Sequence, residues 1–173
     1  ANTTGTKNTA VGSNALGANT ADENTAMGYY ALSTNSTGTT NTAIGVQSMH
    51  LNTTGSRNTA IGYFSLDANT TADRNTAMGF QSLTANTTGS YNTALGYSAL
   101  FTNSTGQQNV AVGHNSLNQY TGSGTVSVGN QSLEDLTTGQ GNTAVGHDSG
   151  RNITTGEYNT IVGYAALDGS SST

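Results

Sequence analysis

The sequence predicts an all-β solenoid, or β-roll, with one coil per ~17 residues. Three observations predict it. One short box recurs ten times at nearly constant spacing. Glycine falls at fixed places in the recurring unit, and the chain contains no proline. A unit this short has no room for a pair of helices but suits a single turn of a β-coil.

The boxes are Asn8–Gly12, Asn24–Gly28, Asn41–Gly45, Asn58–Gly62, Asn75–Gly79, Asn92–Gly96, Asn109–Gly113, Thr125–Gly129, Asn142–Gly146 and Asn159–Gly163. Their first residues are 16 or 17 apart throughout. Numbered from the box Asn, position 4 is always apolar, from Val11 through Ile61 to Val162, and is predicted to point into the coil. Position 2 is Thr or Val and is predicted to share that face by strand alternation. Position 3 is Ala or Ser until Ile161, so it is predicted to lie on the other face, where another backbone comes close. Position 5 is always Gly, predicting a bend or a positive φ. Position 9, Leu in most coils, is the second predicted core anchor. Position 12 is Asn from Asn19 to Asn103 and then Tyr120, Leu136 and Ile153. A site that accepts Asn or Leu is predicted to be at least half buried, with stacked Asn amides forming a ladder. Ten coils at the strand spacing make a rod of roughly 45–50 Å.

Composition excludes several classes. Hydrophobic residues are 32% and charged residues 8% of the 173, against roughly 45–50% and 25% in ordinary domains. The net charge is -5 with four basic residues, Lys7, Arg57, Arg74 and Arg151, which argues against a nucleic-acid partner. No apolar run approaches the ~18–20 residues of a membrane span. There is no Cys, hence no disulfide or thiolate site. About two large apolar residues per coil give little to offset the ordering of seventeen, so packing of several chains along the small-residue face is expected. Ala43, Ala60, Ala77 and Ala94 are the expected contacts between chains. The chain begins at position 11 of a coil and ends soon after Leu167, without a capping element. Residues 1–173 therefore read as one repeat domain within a longer fibre.

The boxes "NTAIG", "NTAVG" and "NTALG", followed by "YFSL" or "YSAL", resemble the repeats of trimeric autotransporter adhesin heads and of phage tail-fibre shafts. The resemblance covers Asn2 to Leu167. It implies a side-by-side homotrimer of β-rolls at a virion or cell surface, serving as spacer or adhesin without a cofactor. The adhesin-head repeat is shorter than seventeen, and the turn "NTTG" is the departure.

Candidate sites are few. His147, Asp148 and Ser149 are the residue types of a hydrolase triad, but neighbours on a strand alternate faces and cannot line up for proton relay. His114 and His147 are two coils apart, too far for one zinc ion. No catalytic, metal or cofactor residue is assigned. Position 6 carries Tyr63, Phe80 and Tyr97, the candidate contacts to cell-surface glycans, unless they simply shield a corner of the coil. Asn35, Asn52, Asn86 and Asn103 open glycosylation sequons that the repeat generates by itself. Thr54, Thr71 and Thr88 would form a rank along one side, so ice binding is the alternative function.

Overall fold

The computed structural model describes residues 4–168; Asn2, where the resemblance opens, lies outside them. Ten three-residue strands, β1 (Thr9–Val11), β2 (Thr25–Met27), β3 (Thr42–Ile44), β4 (Thr59–Ile61), β5 (Thr76–Met78), β6 (Thr93–Leu95), β7 (Val110–Val112), β8 (Val126–Val128), β9 (Thr143–Val145) and β10 (Thr160–Val162), form one parallel sheet in chain order. Box lies on box without slippage: Ile44 pairs with Ile61, and Ile61 with Met78. Turns make up the rest of each coil, and no helix occurs among the described residues. The architecture is a parallel β-solenoid.

The strand faces are the reverse of the sequence reading. Ala43, Ala60, Ala77 and Ala94 are wholly buried inside their own chain, so they cannot meet another. Position 4 points outward: Ile61, expected in the core, is only half-buried, and Leu95 is 44% exposed. Position 2 is likewise part-exposed. The physical reason is the width of the coil. Position 3 faces the position 9 anchors Leu66, Leu83 and Leu100 across a thin interior, where beside a leucine only a small side chain fits. Shifting the phase by one residue sends every strand side chain to the other face.

Polar ladders supply what the small core lacks. At position 12, Asn52 Nδ2 donates to Asn35 Oδ1 (2.7 Å) and to the Gly55 carbonyl (3.0 Å), and Asn69 Nδ2 donates to Asn52 Oδ1 (2.6 Å). At position 1, the Asn58 backbone N–H donates to Asn41 Oδ1 (2.9 Å), while Asn58 Nδ2 donates to the Ala72 carbonyl (2.8 Å). The Thr53 hydroxyl donates to the Thr70 carbonyl one coil on (2.9 Å). At position 16, Ser56 N–H donates to Asp73 Oδ1 (2.7 Å). The equivalent Asp22 takes the N–H and hydroxyl of Thr6, which hold its carboxyl below the usual range. Each bond adds about 0.5–1.5 kcal/mol net, and burial makes their loss costly.

Four places in each complete coil of the described residues have positive φ. In the coil that opens at Asn75 they are Gly79 (φ 136), Gln81 (φ 52), Leu83 (φ 52) and Tyr91 (φ 63). Gly79 must be glycine, because a Cβ there would run into the carbonyl of Gly96. Leu83 takes the left-handed region at a cost of about 1–3 kcal/mol. That turn drives its side chain into the core, where it is fully buried as the sequence predicts.

Candidate functional site: the outer strand face and its rims

Outward position 4 side chains form an apolar column along the whole sheet: Met27, Ile44, Ile61, Met78, Leu95 and their equivalents. Register alone builds it, because each is the Cα partner of the next.

Position 6, past the glycine bend, carries a second rank. Tyr63 stacks on Phe80 (centroids 5.4 Å, 6° between planes), Phe80 on Tyr97 (5.1 Å, 6°) and Tyr97 on His114 (5.2 Å, 20°). All four are exposed. Ring faces within the rank are turned to one another, so what reaches solvent is ring edges and the phenol hydroxyls of Tyr63 and Tyr97. The sequence placed these residues together but gave no ring orientation. Phe64 packs edge-on against Tyr63 from position 7 (4.4 Å).

The triad types do not converge. His147 Nδ1 lies 2.9 Å from Asp148 Oδ2, but Ser149 points inward. Its hydroxyl donates to the Gly146 carbonyl (3.0 Å) and shares a hydrogen bond with Ser132 Oγ (2.8 Å). His147 instead stacks on Tyr164 (5.2 Å). Among the described residues no group of three His, Asp or Glu could hold a metal ion. The sequon residues Asn35, Asn52, Asn86 and Asn103 are wholly buried; the first three serve the ladder, and Asn103 bonds within its own turn to Gly106. Thr54, Thr71 and Thr88 form an exposed rank one residue wide, while the neighbouring Thr53, Thr70 and Thr87 hydroxyls donate to main-chain carbonyls.

Sequence reasoning missed a second set at position 10, where Ser33, His50 and Asp67 come from three successive coils. Ser33 Oγ lies 2.6 Å from His50 Nδ1. No hydrogen bond or ion pair links His50 to Asp67, whose Oδ1 is buried without a partner. Burial pushes the Asp67 carboxyl up, with His50 acting weakly against it. The set is a stacked polar edge with no complete relay. Reading the unit down its columns would have found it.

Ordered ranks on the faces of a parallel coil, with no enclosed constellation of reactive groups among the described residues, define a β-solenoid repeat protein. Compared with known proteins, the chain matches no family model, no curated protein and no solved structure.

Proposed function

We propose that the chain is a structural and adhesive segment of an extracellular fibre, on a virion or cell surface, assembled from parallel copies that associate through the outer strand face. The observation that carries this reading is the unbroken apolar column at position 4. A continuous exposed apolar face favours an interaction surface, and its coil-by-coil period is matched along its full length by a second copy of the same chain. The resemblance to trimeric adhesin heads makes a closed homotrimer the arrangement of choice, with position 4 as the contact in place of the alanines. The rank Tyr63, Phe80, Tyr97 offers ring edges and hydroxyls to cell-surface glycans, and repetition over three chains adds avidity.

Light scattering after size exclusion tests the assembly. Wild type is expected at three times the chain mass, and Met78→Lys with Leu95→Lys at the monomer mass with an unchanged circular dichroism spectrum. A monomeric wild type at ~100 μM, far above the working range of a stable interface, would overturn it. Thermal hysteresis in ice, lost on Thr71→Lys, would replace the fibre reading with ice binding. A silent glycan array would remove the adhesive role and leave the spacer.

A further inference from the structure

Position 17, the last residue before each box, runs Lys7, Glu23, Thr40, Arg57, Arg74, Tyr91 in successive coils. All six have φ between 57 and 63. This left-handed conformation favours glycine, and glycine does occupy the position at Gly124 and Gly141. A long cationic side chain there has no local backbone reason. In the first two coils the rank neutralises itself, with Lys7 Nζ 2.9 Å from Glu23 Oε1. In the fourth and fifth coils it does the opposite and sets two exposed arginines, Arg57 and Arg74, directly over one another. Like charges stacked one coil step apart repel. Among the described residues no carboxylate comes within ion-pair distance of either. The nearest in sequence, Asp73, is turned to accept the Ser56 N–H (2.7 Å). Two of the four basic residues are thus adjacent, unneutralised and solvent-facing in a chain of net charge -5.

Arg74 is also oriented, toward Tyr91 one coil on. Arg74 Nη1 donates to the Tyr91 phenol oxygen (2.6 Å), and its guanidinium carbon lies 5.2 Å from the centre of that ring. Tyr91 keeps its own O–H to donate outward. One coil step is roughly 4.8 Å, a spacing at which two guanidinium forks can grip one tetrahedral or planar anion.

We propose that Arg57, Arg74 and Tyr91 form a binding site for the sulfate or carboxylate group of an acidic polysaccharide. The two guanidiniums neutralise the anion, and the Tyr91 hydroxyl donates to it or to the adjoining sugar. A polysaccharide with spaced charges suits a site one coil step long. A nucleic acid carries a phosphate on every nucleotide and would set most of them against a chain of net charge -5, whereas a sparsely charged polysaccharide need place only one anion here. The proposal deepens the adhesive half of the reading above and does not depend on self-association.

Dextran sulfate titrated into the protein by calorimetry at ~20 mM salt, where screening is weak, tests it, with unmodified dextran, single-stranded DNA and inorganic sulfate as parallel arms. Wild type is expected to bind dextran sulfate, with affinity falling as salt rises. Arg57→Gln with Arg74→Gln should weaken it at least about tenfold and Tyr91→Phe about two- to threefold, on the scale of charged and neutral hydrogen bonds. Arg151→Gln should leave it unchanged, because Arg151 is engaged by Glu134 (3.0 Å). Equal binding by the double variant, by plain dextran or by DNA would overturn the site, as would no binding by wild type. Inorganic sulfate binding as tightly per anion would overturn the polysaccharide assignment. Mass measured on the same samples separates the two readings: trimers that do not bind sink this site alone, and monomers that bind sink the assembly alone.

Discussion

Ile161, on β10, fills the space left open by Gly150 in the coil before it. A Cβ placed on Gly150 would lie 2.8 Å from Ile161 Cδ1, 2.9 Å from Leu133 Cδ2 and 3.2 Å from Ile153 Cδ1. Position 3 is small elsewhere because position 9 is large; here the two exchange sizes and the interior stays filled. The exchange is testable. Gly150→Leu alone should cost about 1–3 kcal/mol by overpacking, and Ile161→Ala alone about 2–5 kcal/mol by leaving a cavity. The double variant restores the ordinary pairing and should recover to within about 1 kcal/mol of wild type, a coupling that a double-mutant cycle by urea denaturation reads directly. Simple additivity of the two losses would show that the sites are independent.

The inward alanines separate folding from assembly. Ala77→Leu should lower the melting temperature in monomer and oligomer alike, because Ala77 is fully buried within its own coil and the added bulk costs about 1–3 kcal/mol. Met78→Lys should leave the monomer's melting temperature nearly unchanged and alter only the mass. If Ala77→Leu shifted mass without loss of stability, the inside-out assignment of β5 would be wrong.

Asn69 sits mid-ladder, donating to Asn52 Oδ1 (2.6 Å) and receiving from Asn86 Nδ2 (3.1 Å). Asn69→Leu should cost about 2–4 kcal/mol, since it strands two buried amides at about 1–3 kcal/mol each. Leucine itself is not the difficulty: Leu136 fills the same position where its neighbours are Tyr120 and Ile153. A neutral outcome in chemical denaturation would remove the ladder from the stability account.

Asp67 gives a pH dependence of defined sign. Burial holds its folded carboxyl above the usual aspartate range. The fold therefore favours the protonated form. That contribution is whole below the unfolded pKa and is lost as pH rises through the raised folded value. Asp67→Asn should stabilise at pH 7 by about 1 kcal/mol, the scale of an unpartnered buried polar atom, and should have little effect near pH 3. Melting curves at the two pH values check this; equal shifts at both would exclude the ionisation as the cause.

Tyr120 and Thr125 depart from the repeat together, at the Asn positions 12 and 1. The phenol and Thr125 Oγ1 share a hydrogen bond (2.9 Å), and the phenol also donates to the Ser123 carbonyl (3.0 Å). One coil earlier the ladder stops: Asn103 Oδ1 takes the Gly106 N–H (2.8 Å), and Asn86 Oδ1 is left without a partner. Tyr120→Phe should cost about 1–2 kcal/mol through the unpaired Thr125 hydroxyl, measured by urea denaturation; no loss would mean that the hydroxyl finds another partner.

Period, strand number, register, the glycine bends and the buried columns at positions 9 and 12 were all determined by the sequence alone. Identical units stacked in parallel have one register that brings like residues together, and that information is one-dimensional. The strand's inner face was not legible. Thr-Ala-Val alternates equally well in either phase, and the choice depends on how much room Leu66 and Leu83 leave across the coil. The left-handed turns at Gln81, Leu83 and Tyr91 were hidden for a related reason: nothing in Gln, Leu or Tyr asks for positive φ, and only the closure of a coil around those side chains imposes it. Contacts between columns, such as Ser33 with His50 or Arg74 with Tyr91, needed both the register and the turn geometry, because they join residues that are 17 apart in the chain and one step apart along the axis.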